Sequence, residues 1–302
     1  MIKNNEIVLI RANNIIKIWV DALRIKHWIK NFFVFAPFLV GPKFGFNEYL
    51  IYSVEGVLLF CLMSSAVYLF NDIVDIKHDR EHPKKSLRPI ASRHISVRAA
   101  GTASVVLAIS SIVAAFYLDF RFALLLIAYA ANNILYSFYL KKKTVLDVMS
   151  ISVGFVIRVY AGGFIIGIEI TKWLVACVFT LSLFLGLGKR RLEFEVIKEN
   201  AVKVREVMES YTIQKLNILL GISASITIVT YMLYTMAPET KVVQGTDKLI
   251  FTTPFVVYGI YRYLLKVQEG RHSGPVELML KDRGFLLAGF LWIITFLLLT
   301  HS

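Results

Sequence analysis

The sequence predicts an all-α integral membrane protein of about nine transmembrane helices, formed by a single domain over residues 1–302. Three observations carry this expectation. Apolar residues make up 57% of the 302 positions and mean hydropathy is +0.63, above the roughly half-apolar composition of soluble domains. Nine segments approach the about 20 apolar residues that a bilayer-crossing helix requires. Lys and Arg are also sorted between alternate loops.

The chain begins with MIKNNEIVLIRANNIIKIWVDALRIKHWIKN. It lacks the compact apolar core and small-residue cleavage site of a secretory signal, and its apolar residues recur at helical spacing between charges. This predicts a helix over roughly residues 1–28 lying at the membrane interface. The nine spans follow at 31–46, 49–70, 97–117, 121–139, 145–167, 172–188, 214–237, 248–266 and 284–301. The first and sixth are short and contain Gly or Pro. No repeat, low-complexity tract or linker divides the chain.

With the N-terminus inside, 27 of the 34 Lys and Arg fall in inner segments, 5 in outer loops, and Arg158 and Arg262 within spans. The positive-inside rule therefore places the polar loops 71–96 and 189–213 on the cytoplasmic side of an inner membrane. The net charge of +13 is accounted for by attraction to anionic inner-leaflet lipid, and nothing points to nucleic acid. Cys61 and Cys177 fall in predicted spans and read as small packing groups.

The stretch NDIVDIKHDREHPKKSLRPI, residues 71–90, follows an apolar span. If that helix continues past Phe70, then Asn71, Asp75 and Asp79 stand at i, i+4 and i+8, with Asp72 beside them on the same stripe. Like charges at these spacings destabilise a bare helix, so the cluster calls for a countercharge. A hard divalent cation suits oxygen donors, and Mg²⁺ in particular is held by one or two carboxylates while sharing its shell with phosphates and water. Lys84, Lys85 and Arg88 lie in a turn bounded by Pro83 and Pro89, placed to reach phosphates that the metal bridges. The bland alternative is that these charges solvate and anchor a helix end, which explains single basic residues better than it explains an ordered acidic stripe.

NDIVDIKHDREHPKKSLRPIAS resembles the first aspartate-rich motif, NDxxDxxxD, of the UbiA-type superfamily of intramembrane prenyltransferases. The resemblance implies helices arranged around a central cavity. LRIKHWIKNFFVFAPFL, YSFYLKKKTVLDV, GFVIRVYAGG, GKRRLEF, ESYT and PVELMLKDR are similar, in that order, to the branch acting on decaprenyl phosphate as a phosphoribosyltransferase. The chain departs from the wider superfamily after the sixth span. Where a second aspartate-rich motif is usual, GKRRLEFEVIKENAVKVREVMESY contains no Asp. A lipid monophosphate can be neutralised by Lys and Arg directly, so Lys189 and Arg190 are expected to hold a phosphate there. The resemblance implies the matching substrates, phosphoribosyl pyrophosphate as donor and a polyprenyl phosphate as acceptor, with Asn71, Asp72, Asp75 and Asp79 holding Mg²⁺ at the catalytic centre.

Arg158, inside the fifth span, is a functional candidate because an ionisable residue there is costly. Asp147 lies eleven residues earlier, about three turns away on the same helical face, which leaves an internal ion pair as the structural alternative. Lys30, Asn31, Tyr136 and Lys141 flank spans, where anchoring is the ordinary reading; the resemblance raises them to substrate-binding candidates. Two rivals remain: a family member that prenylates a small aromatic acceptor, and a transporter. The oligomeric state is open, a homo-oligomer included.

Overall fold

The computed structural model describes residues 15–40, 46–82, 85–200, 211–270 and 274–301, and among these no strand occurs. Residues 15–22 are helical; the first fourteen residues of the interfacial helix expected over 1–28 lie outside the described set. A 3-10 helix over Ile25–Phe35 then runs into α1 (Ala36–Val40). The long helices that follow are α2 (Phe46–Val74), α4 (Val97–Leu118), α5 (Phe120–Phe138), α6 (Leu146–Ile165), α7 (Lys172–Asn200), α8 (Ile213–Met236), α10 (Thr253–Glu269) and α12 (Arg283–His301). Short α3 (Ile76–Glu81), α9 (Pro238–Gln244) and α11 (Pro275–Lys281) lie between them.

Seven of the described helices are long and apolar enough to cross a membrane. The other two expected spans are the first, which is divided between 3-10 and α geometry, and the eighth, where α10 has 17 residues. α7 outruns its expected span, so the basic 189–200 segment extends the same helix rather than forming a loop.

Local chemistry explains several boundaries. Ser96 caps α4 by accepting from the Ala99 amide, and Asp119 alone separates α4 from α5, accepting from the Phe122 amide at 2.9 Å. Thr212 accepts from the Lys215 amide at 3.1 Å and starts α8. Each side chain satisfies an amide that a helix start would otherwise orphan.

Among the described residues the bundle has three apolar clusters, the smallest joining Ala22, Leu69, Ile90, Ile95 and Ala100. Of the larger two, one joins Val34, Phe60, Met63, Phe122, Leu126 and Ala161 from the 3-10 helix, α2, α5 and α6. The other joins Val148, Phe184, Leu216, Leu220, Tyr263 and Leu278 from α6, α7, α8, α10 and α11. α6 therefore belongs to both. Its Gly162 is required by close packing, because a Cβ there would overlap the Val34 carbonyl. Outward faces are apolar in turn: Val105, Ile109 and Val113 on α4, and Ile218, Ile222 and Ile226 on α8, are all exposed at four-residue spacing. Such faces suit a hydrocarbon solvent, while Asp147, Arg158 and Arg190 are buried inside.

Candidate active site

The expected acidic stripe is realised by backbone bonding. The Asp75 amide donates to the Asn71 carbonyl and the Asp79 amide to the Asp75 carbonyl, each at 2.9 Å, so helical winding continues through the joint at Asp75 between α2 and α3. The carboxylates are then met by cations from distant segments. Arg88 Nη1 donates to Asp72 Oδ1 at 3.0 Å and to Asp79 Oδ2 at 2.7 Å. Arg24 also bonds Asp72 Oδ1, Lys141 Nζ reaches Asp75 Oδ1 at 2.5 Å, and the Ser137 hydroxyl bonds Asn71 Oδ1. Asp72 and Asp79 are buried.

This donor set fits a hard divalent cation. It presents only amide and carboxylate oxygens, and a single guanidinium nitrogen already bridges Asp72 and Asp79. Among the described residues no three of His, Cys, Asp and Glu converge into a metal-binding group. Oxygen donors of this kind suit a hard divalent cation that completes its shell with phosphate and water.

Beside the cluster lies a cavity of about 770 Å³. Lys17, Arg24, Lys26, Arg88 and Lys189 line it, against Asp21 as the one acidic residue, a five-to-one balance that selects for anions. His27, in the same wall, has its pKa pushed down to about 4 by burial and by the surrounding Lys30, Arg24, Lys189 and Arg88 charges. It is neutral at pH 7. Lys30 has its pKa lowered to about 8 by burial, then by Arg158 and Arg24, and it forms no hydrogen bond or ion pair among the described residues.

Arg158 does not meet Asp147. Its Nε donates to Asn31 Oδ1 at 2.9 Å, Nη1 to the Gly154 carbonyl at 2.8 Å and Nη2 to the Tyr129 hydroxyl at 2.9 Å. Three helical turns separate the two residues by about 16 Å along the axis, so sharing a face was insufficient. Asp147 instead accepts from Arg190 Nε at 2.6 Å and from the Tyr211 hydroxyl at 3.0 Å. Arg190 also donates to Glu193 Oε2 at 2.5 Å and to Tyr136 at 3.2 Å, and its side chain is 1% exposed. Arg190 thus ties α7 to α6, while its neighbour Lys189, 46% exposed, lines the cavity. Lys84 lies outside the described residues.

Arg24, Ser137, Tyr129 and Tyr211 complete these networks without having been singled out by sequence. Arg24 sits in left-handed backbone, φ 53°, an uncommon conformation for a non-glycine residue and a marker of constraint. In the sequence it is indistinguishable from an anchoring charge.

The UbiA prenyltransferase family profile matches residues 32–294. The chain belongs to the UbiA prenyltransferase family. This UbiA chain is 33% identical over 280 residues to the decaprenyl-phosphate phosphoribosyltransferase of Mycobacterium tuberculosis H37Rv, covering 91% of this chain and 92% of that protein. It is 33% identical over 279 residues to the protein of the same name from Corynebacterium glutamicum, covering 91% and 84%. In fold it is similar to a UbiA homolog from Archaeoglobus fulgidus bound to GPP and Mg²⁺, with TM-score 0.70 and 19% identity over 94% of this chain and 100% of that one. The same archaeal homolog has been solved with Cd²⁺.

Proposed function

We propose that this protein transfers 5-phosphoribose from phosphoribosyl pyrophosphate to a polyprenyl phosphate, releasing pyrophosphate. The single observation that carries this reading is the pairing of one carboxylate cluster with a cavity lined by five cations and one acid. A single metal-phosphate centre suits one diphosphate, and the cationic surroundings suit a second, metal-free phosphate. The curated relatives named for this activity, matched over nine-tenths of the chain, support the same choice.

Asn71, Asp72, Asp75 and Asp79 would hold Mg²⁺, which when bound stabilises negative charge on departing pyrophosphate. The anomeric C–O bond to pyrophosphate breaks with its electron pair leaving on oxygen, and a lipid phosphate oxygen forms the new C–O bond. That phosphate is already anionic near neutral pH, so no general base is required. Arg88 and Lys141, which pair with these carboxylates, would supply positive charge beside the pyrophosphate oxygens. Lys30 and Lys189 present positive charge to the acceptor phosphate, and Arg190 braces the α7 segment that carries Lys189. The distribution of Lys and Arg supports a cytoplasmic-membrane enzyme whose site opens to the cytoplasm.

The test is incubation of purified protein in nanodiscs with labelled phosphoribosyl pyrophosphate, Mg²⁺ and a panel of polyprenyl phosphates and aromatic acceptors. A phosphoribosylated lipid with stoichiometric pyrophosphate is expected. Transfer of a prenyl group from a prenyl diphosphate to an aromatic ring, without that lipid, overturns the reading.

A further inference from the structure

We propose that Lys17 and Lys26 form a subsite for the phosphomonoester at the 5-position of the donor, so that the enzyme reads both anionic ends of phosphoribosyl pyrophosphate. The inference rests on the function proposed above and extends it to Lys17 and Lys26 of the N-terminal segment.

The acidic cluster and the cationic cavity share two side chains. Arg24 and Arg88 both bond Asp72 and both line the cavity. Whatever occupies the acidic cluster therefore lies next to two guanidinium groups that also form part of the cavity wall. A diphosphate seated at the cluster extends its ribose past them. The cavity beyond contains Lys17 and Lys26, exposed and without an ion pair among the described residues, while Arg24, Arg88 and Lys141 are committed to carboxylates. A phosphomonoester carries close to two negative charges at neutral pH and is the natural occupant of two uncommitted ammonium groups. Prenyl diphosphates have no second anionic end, so such a subsite would favour the phosphoribosyl donor over the prenyl diphosphates used elsewhere in the family fold.

An anionic lipid headgroup offers the same phosphate chemistry at an interfacial segment, and the experiment has to tell the two sources apart. Binding of phosphoribosyl pyrophosphate and of inorganic pyrophosphate, each with Mg²⁺, is measured by calorimetry on wild-type protein and on Lys17→Gln/Lys26→Gln. Both proteins are placed in phosphatidylcholine nanodiscs and in nanodiscs containing phosphatidylglycerol. Wild-type protein is expected to prefer phosphoribosyl pyrophosphate. The double variant should lose roughly tenfold or more in affinity for it, the loss expected for charge-assisted contacts, with pyrophosphate binding unchanged in both lipids. Lys17→Arg/Lys26→Arg should restore the preference. Unchanged donor affinity, equal loss for both ligands, or a loss confined to phosphatidylglycerol nanodiscs overturns the subsite. If wild-type protein transfers phosphoribose while the variant keeps its preference, the subsite alone is wrong. If wild-type protein does not bind phosphoribosyl pyrophosphate, the function fails and the subsite with it.

Discussion

Lys141 Nζ lies 2.5 Å from Asp75 Oδ1 although 66 positions separate them, and this contact gives one carboxylate of the acidic cluster a cationic partner. On the proposed function, lysine and metal would compete for the same carboxylate. Lys141→Gln removes the competitor, so affinity for Mn²⁺ alone should rise, by roughly tenfold if the contact has the usual strength of a charge-assisted bond. Turnover should nevertheless fall, because the ammonium is then missing from the leaving group. Mn²⁺ titration followed by electron paramagnetic resonance, beside steady-state rates, checks both signs. A fall in both would mean that Lys141 merely supports the fold.

The carboxylates differ in what they hold. Asp75 is 29% exposed at its side chain and has one cation, whereas Asp72 is 4% exposed and ties down both Arg24 and Arg88. Asp75→Asn should therefore lower turnover by roughly a hundredfold or more, the scale of losing a preorganised transition-state stabiliser, with little change in melting temperature. Asp72→Asn should lower both, since it leaves Arg24 without its anion and Arg88 with Asp79 alone. Thermal unfolding of the two variants in detergent, read with their turnover, separates these roles. Equal melting temperatures would contradict the difference in burial.

The acidic stripe was legible because four-residue spacing converts directly into one helical face, and the backbone bonds from Asn71 to Asp75 to Asp79 realise it. The apolar spans were legible because hydrocarbon thickness fixes their length. The first was misread in geometry: hydropathy does not distinguish α from 3-10 winding, and Ile25–Phe35 takes the latter, with the Val34 carbonyl lying against Gly162 of α6. Long-range partners were illegible for a different reason. Which of several cations reaches Asp72 depends on chain crossings, and Arg24 does so across 48 positions. Asp147 likewise found Arg190 across 43 positions, not the Arg158 with which it shares a helical face.

Arg190 and Lys189 are sequence neighbours with opposite surroundings. Arg190 neutralises Asp147, whose side chain has no exposed surface, and removing one partner of such a buried pair typically costs about 3–5 kcal/mol. Arg190→Gln should lower the melting temperature markedly. Lys189→Gln should leave it nearly unchanged and raise the KM for polyprenyl phosphate. The measurements are unfolding in detergent and lipid-dependent kinetics. A stable Arg190→Gln protein with a selective acceptor defect would make Arg190 a substrate ligand instead of a strut.

Lys30 gives a pH dependence whose two consequences have opposite sign. Its pKa is lowered to about 8 by burial and by the Arg158 and Arg24 charges, whereas an unfolded lysine titrates near 10.4. Below pH 8 both states carry the proton, and the fold bears the cost of a sheltered charge. As pH rises through 8 the folded form releases its proton while the unfolded form keeps it. The unfolded state then binds more protons, so this group makes stability rise between about pH 8 and pH 10.4. Acceptor binding moves the other way, because the neutral amine no longer attracts a phosphate. The KM for polyprenyl phosphate should climb above pH 8 while the protein becomes harder to melt. At saturating lipid the bound phosphate raises the Lys30 pKa again, so kcat should hold to higher pH than kcat/KM. Lys30→Arg keeps its charge throughout this range and should flatten both profiles. Rates and melting temperatures from pH 7 to 10 on the two proteins decide the matter, and identical profiles would remove Lys30 from acceptor binding.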